Sequence, residues 1–229
     1  MEKFTEHFTV TDNMCRPKIG LASVGILDLF QSIAGEHISK LGYPFSFLAQ
    51  KGLAFVLVRC KYEIYDVIRP YEKLKIITWP HKANRFEFDR SYAIYRDDIL
   101  VGKGLSKWVI INLNTRSLVR PDVIDLALFG NLESEAFPKI KLPMLNYEKI
   151  MTYEVRNDDI DVVGHFNNTK YANVLLDVNY DALEINYLKE LKLGNSVDVF
   201  LASDLTHDYY LGKIGEVTHF IIKGRRNIE

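Results

Sequence analysis

Between Val56 and Ile111 the chain alternates apolar and polar residues in four successive runs, and no helical periodicity separates them. Val56, Val58, Cys60, Tyr62 and Ile64 share one face against Leu57, Arg59, Lys61 and Glu63. Arg69-Pro70-Tyr71-Glu72 then turns into Lys73 to Trp79, and Phe86, Phe88, Arg90, Tyr92 and Ile94 form the third run. Arg96-Asp97-Asp98 reads as a hairpin turn into Ile99 to Ile111. Period-two runs joined by turns demand antiparallel pairing, because a parallel sheet needs a crossover helix between strands. One helix precedes them. Val24, Leu27, Phe30, Ala34, Ile38 and Leu41 recur at steps of three and four, with Ser23 as N-cap and Gly42 and Pro44 as the stop. A long helix followed by long antiparallel strands is an α+β pattern.

The plan then repeats. Phe4 to Val10 is an opening strand, and Tyr153 with Val155 is a second one. Tyr171, Val174, Leu175, Val178 and Ala182 trace a second amphipathic helix, followed by a strand at Ile185 to Leu191, a turn at Gly194-Asn195 and a strand at Ser196 to Phe200. Further strands are expected near His207 to Leu211 and Val217 to Ile222. From about Arg120 to Glu148 periodicity weakens around Pro121, Pro138 and Pro143, with a short helix at Asp125 to Leu128. The expected division is therefore a first unit at 1–120, a linker at 121–149 and a second unit at 150–229.

The units differ at one place. Asn157 to Tyr171, N-D-D-I-D-V-V-G-H-F-N-N-T-K-Y, packs three acids, a histidine and two adjacent asparagines into one segment. Counting from Val10 against Val155, Asp161 and His165 fall on Arg16 and Gly20, so the first copy lacks the polar cluster. Read by itself the cluster is ambiguous. Asp161 could be a turn or capping residue, His165 a loop histidine, and Asn167 and Asn168 ordinary N-caps. Glu190, beside Lys189 and Lys192, has the setting of a solvated acid. His37 sits at packing spacing with Phe30 and Ala34, and His81 and His207 read as surface loop residues.

Composition narrows the function. The formal net charge is −1, which argues against nucleic-acid binding. Thirteen Phe, thirteen Tyr and two Trp suit long strands around an apolar cavity. Cys15 and Cys60 make no metal spacing and no disulfide framework, and no apolar run reaches membrane-spanning length. Together with a charged N-terminus, these features make a cytoplasmic protein the expectation. No G-x-S-x-G elbow, P-loop or H-E-x-x-H is present, so neither a serine hydrolase, a nucleotide enzyme nor a zincin is indicated, and no metal or cofactor is expected.

The ordered motifs resemble the acyl-acyl carrier protein thioesterases of plants and bacteria. Asp159 to Tyr171 is similar to that family's D-L-D-x-N-x-H-V-N-N-x-x-Y segment, and Leu29 to His37 resembles its first helix. Thr78-Trp79-Pro80, Phe88-Asp89-Arg90 and Lys107 to Ile110 are similar to further landmarks. The resemblance implies two tandem hotdog units, each a long helix wrapped by an antiparallel sheet, with the acyl pocket in the first and the chemistry in the second. It implies Asp161, His165 and Glu190 as catalytic residues, Asn167 and Asn168 as substrate-binding, and hydrolysis of fatty acyl-acyl carrier protein to free fatty acid. In this scheme Glu190 or His165 activates water, Asp161 orients His165, and backbone N–H groups near Asn167 and Asn168 polarise the thioester carbonyl with the help of a helix dipole. A covalent route through a carboxylate is also chemically open. The implied partner is acyl carrier protein, met by basic residues drawn from Lys82, Arg85, Arg90, Lys103, Lys107, Lys223, Arg225 and Arg226. Monomer and homodimer are both compatible. Two departures stand out: Val163 where plant members carry asparagine, and Leu191 where they carry cysteine, which removes any thiol nucleophile there. Two other readings share the scaffold, an acyl-CoA thioesterase and a hotdog protein that binds acyl thioesters as a sensor without hydrolysing them.

Overall fold

Apolar alternation in Leu53 to Ile64 and in the runs after it builds the larger part of one sheet. In a computed structural model that describes residues 3–161, 164–176, 178 and 180–226, β1 spans Phe4–Thr9, β2 Cys15–Arg16 and β3 Gly20–Leu21. Helices α1, Ser23–Lys40, and α2, Phe45–Gln50, follow, and then the strands β4 Leu53–Ile64, β5 Lys73–Pro80, β6 Glu87–Arg96, β7 Ile99–Asn112 and β8 Leu118–Val119. The second half holds β9 Glu148–Glu154, β10 Tyr180–Tyr187, β11 Ser196–Ser203, β12 His207–Ile214 and β13 Val217–Arg226. The α+β expectation holds.

The strand order explains the repeat. Along the sheet it runs β1-β5-β6-β7-β4-β10-β13-β12-β11-β9, with β8 paired to β7. Each strand of the first unit has a partner at the same distance from the β4–β10 seam: β7 with β13, β6 with β12, β5 with β11, β1 with β9. The seam itself is antiparallel, Leu183 opposite Tyr62 and Ile185 opposite Cys60. Side-by-side pairing of the two units removes two edges that would otherwise be open templates.

The match by counting from Val10 is visible in the backbone. Arg16 pairs with Gly20 in the β2–β3 hairpin, and at the corresponding positions the Asp161 N–H donates to the His165 carbonyl at 2.8 Å. Cys15 faces Leu21 as Ile160 faces Phe166. One 3-10 turn precedes each hairpin, Asp12–Met14 and Asn157–Asp159.

After the hairpin the copies part. The long amphipathic helix expected at Tyr171 to Ala182 does not form among the described residues, and Asp177 and Asn179 of that stretch lie outside them. A seven-residue 3-10 helix, Asn168–Val174, is followed by β10 from Tyr180. Tyr171 and Val174 are buried as their spacing implied, but on a short 3-10 segment that packs against α1. The strand expected at Ile185 to Leu191 also starts earlier and stops at Tyr187, which leaves Glu190 in the loop behind it. In the first copy α1 fills this space, and its buried face includes Ile26, Leu27, Phe30, Ile33 and Ala34. Ser23 is the first helical residue rather than the cap. Its Oγ accepts the Tyr62 hydroxyl at 2.7 Å.

The segment between the units is held down at several points. Asp125 caps the short 3-10 helix Leu126–Leu128 through the Ala127 N–H. Phe129 packs on Phe88, and the Ile140 N–H donates to Asn186 Oδ1 at 2.7 Å.

Three sheet glycines let aromatic rings lie flat on the backbone. Phe30 covers Gly104, Tyr180 covers Gly224 and Phe220 covers Gly212. A Cβ on Gly212 would stand 1.9 Å from Phe220 Cε1, and Phe220 is fully buried on the adjacent strand. The ring therefore has nowhere to go. Gly212→Ala is expected to cost about 1–3 kcal/mol by overpacking, read as a lower urea midpoint with an unchanged m-value.

Candidate active site

The hairpin Ile160–Phe166 is tied at both ends. Asp161 Oδ1 accepts the His165 backbone N–H at 3.0 Å, and the Gly164 N–H donates to the Asp161 carbonyl at 3.0 Å with Gly164 in the left-handed region at φ 81°. Such a φ favours glycine at this tip. Asp159 has a structural task. Its two carboxylate oxygens accept the Tyr153 hydroxyl at 3.0 Å and the Arg156 N–H at 2.9 Å, and it is buried. Of the acids in this segment, Asp161 is the one placed at the histidine. Val163 lies outside the described residues.

Glu190 reaches the same point from the loop after β10. Leu191 anchors this loop, fully buried, with its carbonyl accepting the Phe166 N–H at 3.0 Å. The His219 carbonyl on β13 accepts the N–H groups of Leu188 and Lys189. So held, Glu190 Oε2 receives His165 Nε2 at 2.9 Å. The same oxygen receives Arg116 Nη2, from the turn between β7 and β8. Arg116 gives no local signal in the sequence, since it stands 74 residues from Glu190. Burial pushes the Glu190 carboxyl up, but the Arg116 hydrogen bond, the His165 and Arg116 charges and Lys192 outweigh it and leave its pKa lowered. Glu190 is thus an anion beside an imidazole that donates to it.

Asn167 and Asn168 do different jobs. Asn167 is the cap of the 3-10 helix: its Oδ1 accepts the Thr169 N–H at 3.1 Å, and Gln31 Nε2 on α1 donates to the same oxygen at 3.3 Å. Its own N–H is taken by the Asp159 carbonyl at 2.7 Å. That leaves the Asn168 N–H as the one of the pair with no acceptor among the described residues. Seven residues of 3-10 geometry cannot supply the macrodipole of a long α-helix, so a donor of this kind acts as a single N–H group.

Asn168 and Thr169 line a narrow cleft with Tyr187, and its other wall comes from the first unit: Leu27, Phe30, Gln31, Leu57, Cys60, Tyr92, Ser106 and Trp108. The lining is mostly apolar, and Gln31 Oε1 is buried there without a hydrogen-bond partner among the described residues. Burial pushes the Cys60 thiol up to about 12, so it is no nucleophile. A wider pocket opens elsewhere against α1, between Ile26, Leu21, Ile64 to Ile68 and Tyr180-Asp181.

Several other residues change standing. His81, expected on the surface, is buried, its Nε2 at 2.7 Å from Ser91 Oγ. His37 packs as expected, stacked on Phe4 and receiving Arg90 Nη1 on Nδ1. Burial, then Arg90 and Lys40, lowers it to about 4. The basic residues do not form one free patch. Arg90 and Lys107 are buried, Lys107 against Glu87 and Asp89, while Lys103, Arg225 and Arg226 pair with Glu63, Asp181 and Asp208. Among the described residues no three His, Cys, Asp or Glu converge as metal ligands, and no helix is long and apolar enough to cross a membrane.

Residues 2–126 match the acyl-ACP thioesterase N-terminal domain and residues 144–221 the acyl-ACP thioesterase C-terminal domain. The chain is 25% identical over 219 residues to the chloroplastic oleoyl-acyl carrier protein thioesterase of Coriandrum sativum, covering 82% of this chain and 59% of the relative. It is also 25% identical to the chloroplastic oleoyl-acyl carrier protein thioesterase 2 of Arabidopsis thaliana, over 73% of this chain and 52% of the relative. The chain therefore spans little more than half the length of these relatives. An acyl-ACP thioesterase structure from Bacteroides thetaiotaomicron VPI-5482 superposes with a TM-score of 0.84 at 21% identity, covering 98% of each chain. The 12:0-ACP thioesterase from Umbellularia californica gives 0.84 at 15% identity, covering 99% of this chain and 98% of that one. At such identities the two structures establish the fold, a double hotdog. With both domain models matched in order along a duplicated hotdog sheet, the chain belongs to the acyl-ACP thioesterase family.

Proposed function

We propose that this protein hydrolyses the thioester of a fatty acyl chain carried on acyl carrier protein, releasing free fatty acid and the carrier thiol. One observation carries the reading beyond family membership: His165 Nε2 and Glu190 Oε2 meet at 2.9 Å, and Asn168, on the same segment just after His165, lines the apolar cleft. Oε2 accepts both His165 and Arg116, so Oε1 is the oxygen left to take a proton from water. Water adds to the thioester carbonyl as Glu190 accepts its proton, and the Asn168 N–H stabilises the oxyanion. Collapse breaks the C–S bond and the thiolate takes the proton back. Asp161 holds His165 in place through its backbone N–H. In this scheme 1–120 binds the acyl chain, 121–149 connects the units and 150–229 carries the chemistry. The reaction needs no cofactor, and the setting is cytoplasmic.

The carrier decides between readings. Purified protein given one acyl chain on acyl carrier protein and on coenzyme A is expected to turn over the carrier-protein thioester at least tenfold faster at equal concentration. A preference for coenzyme A would replace this function by an acyl-CoA thioesterase, and no turnover of either would make the protein an acyl-thioester sensor.

A further inference from the structure

Arg116 belongs to the first unit, yet its guanidinium ends on the catalytic carboxylate of the second. It sits on a stiff turn. The Asn112 side chain accepts the Asn114 and Thr115 N–H groups at 2.9 and 3.0 Å, the Arg116 N–H donates to the Asn112 carbonyl at 2.8 Å, and Asn112 N–H to Ser117 O at 2.9 Å closes the hairpin. Arg116 itself is left-handed at φ 58°, an uncommon conformation for a side chain of its size. With the backbone fixed, little more than the side chain has to be ordered to reach Glu190. The backbone of the receiving loop is held on both sides of Glu190, but the residue is exposed and has two lysines as near neighbours, Lys189 and Lys192.

We propose that Arg116 is a positioning residue that fixes the Glu190 carboxylate against His165, so that the first hotdog unit completes the catalytic site of the second. This rests on the reading of Glu190 and His165 as the reacting pair. Arg116 does not touch the reacting atoms. It occupies Oε2 together with His165, which orients the carboxylate and leaves Oε1 for water, and its charge opposes protonation of Glu190. The groups that face Glu190 are Arg116 from the β7–β8 turn, His165 from the site hairpin, Tyr171 from the 3-10 helix, Lys192 from its own loop, and His219 of β13, whose Nδ1 lies 3.2 Å from the Glu190 carbonyl oxygen. Of these, only Arg116 and His165 reach the carboxylate oxygens directly.

The sign of the effect is defined. The Glu190 pKa is lowered, so the active anion persists above that pKa and is lost as pH falls through it. Without Arg116 the loss comes at higher pH. Arg116→Gln removes the charge and leaves a shorter polar side chain, while Arg116→Lys returns the charge without the fork. The full chain and both variants are assayed for kcat/KM on the acyl-carrier thioester from pH 4.5 to 9. Arg116→Gln is expected to lose about three- to tenfold against wild type near pH 5, the loss shrinking steadily as pH rises, with Arg116→Lys intermediate. The pair is partly exposed, so 1 M salt should pull the wild-type profile toward that of Arg116→Gln. Profiles that differ by one constant factor at every pH, or a loss confined to KM, would overturn the proposal and make Arg116 a packing or carrier contact. If Glu190→Gln retains wild-type turnover, the site reading itself fails. If Glu190→Gln is inactive but the Arg116→Gln profile superimposes on wild type, the inference alone fails.

Discussion

His165→Ala is expected to lower kcat by about 10²–10⁴-fold, the range a positioned acid–base group contributes, because Glu190 loses the partner that orients it, while the thermal midpoint stays nearly unchanged. Both halves of this follow from the geometry. The hairpin around His165 is held by backbone groups: the residue-165 carbonyl accepts the Asp161 N–H, and the residue-165 N–H donates to Asp161 Oδ1. Alanine keeps each of these bonds. The imidazole is about a quarter exposed, so its loss leaves no sealed cavity. What disappears is the Nε2 contact with Glu190, and with it the orientation of the carboxylate. Glu190→Gln should fall to a similar level, because the amide retains a hydrogen-bond partner for Arg116 but cannot accept a proton from water. Groups that act as a unit lose activity non-additively, so the double variant should be scarcely worse than either single one. Thiol release under saturating acyl-carrier thioester gives kcat, and a thermal melt reports the fold. Turnover within threefold of wild type for either single variant would remove that residue from the chemistry.

Much of this geometry was legible in the sequence, for a local reason. Hairpins and alternating strands are encoded by residues close together. Asp97 and Asp98, both left-handed at φ 48° and 64°, make the two-residue turn between β6 and β7 where the pattern placed it. Counting from Val10 paired Arg16 with Asp161 and Gly20 with His165, and the hydrogen bonds of the two hairpins follow that match. The second helix failed because its apolar spacing was read without its polar residues. Asn168, Thr169, Asn173, Asp177 and Asn179 are poor helix formers, and pairing of β10 with β4 across the seam claims the chain from Ala182 on. The spacing of Tyr171 and Val174 reports burial, which a 3-10 turn satisfies as well as an α-helix. Arg116 and Gln31 escaped for a different reason. Each reaches the site across the join between units, 74 and 136 residues from its partner, and no periodicity carries that information. His81 belongs with them, since its burial depends on how the sheet and its covering segment close over it.

Phe30→Ala is expected to change what the protein accepts more than how fast it works. Phe30 is 2% exposed, stacks on Tyr92 with centroids 4.1 Å apart and planes 8° from parallel, and lies on the bare backbone of Gly104. It lines the same cleft as Asn168, together with Tyr92. The Tyr92 hydroxyl is bound to Ser106 Oγ at 2.9 Å, and Trp108 Nε1 donates to the same oxygen at 2.7 Å. That wall is therefore held by directional bonds, and Phe30 is the lining ring whose volume is set by packing alone. Removing it costs about 3–5 kcal/mol, the range for burying an alanine in place of a phenylalanine, which the urea midpoint will show. The same truncation opens space for an acyl chain between α1 and the sheet, so the fatty acids released on expression in a bacterial host should shift toward longer chains. Phe30→Leu, which keeps most of the volume, should fall between wild type and Phe30→Ala in both stability and chain length. A destabilised Phe30→Ala whose product distribution superimposes on wild type would mean that the acyl chain does not pass this ring, and would direct attention to the pocket between Ile26 and Tyr180 instead.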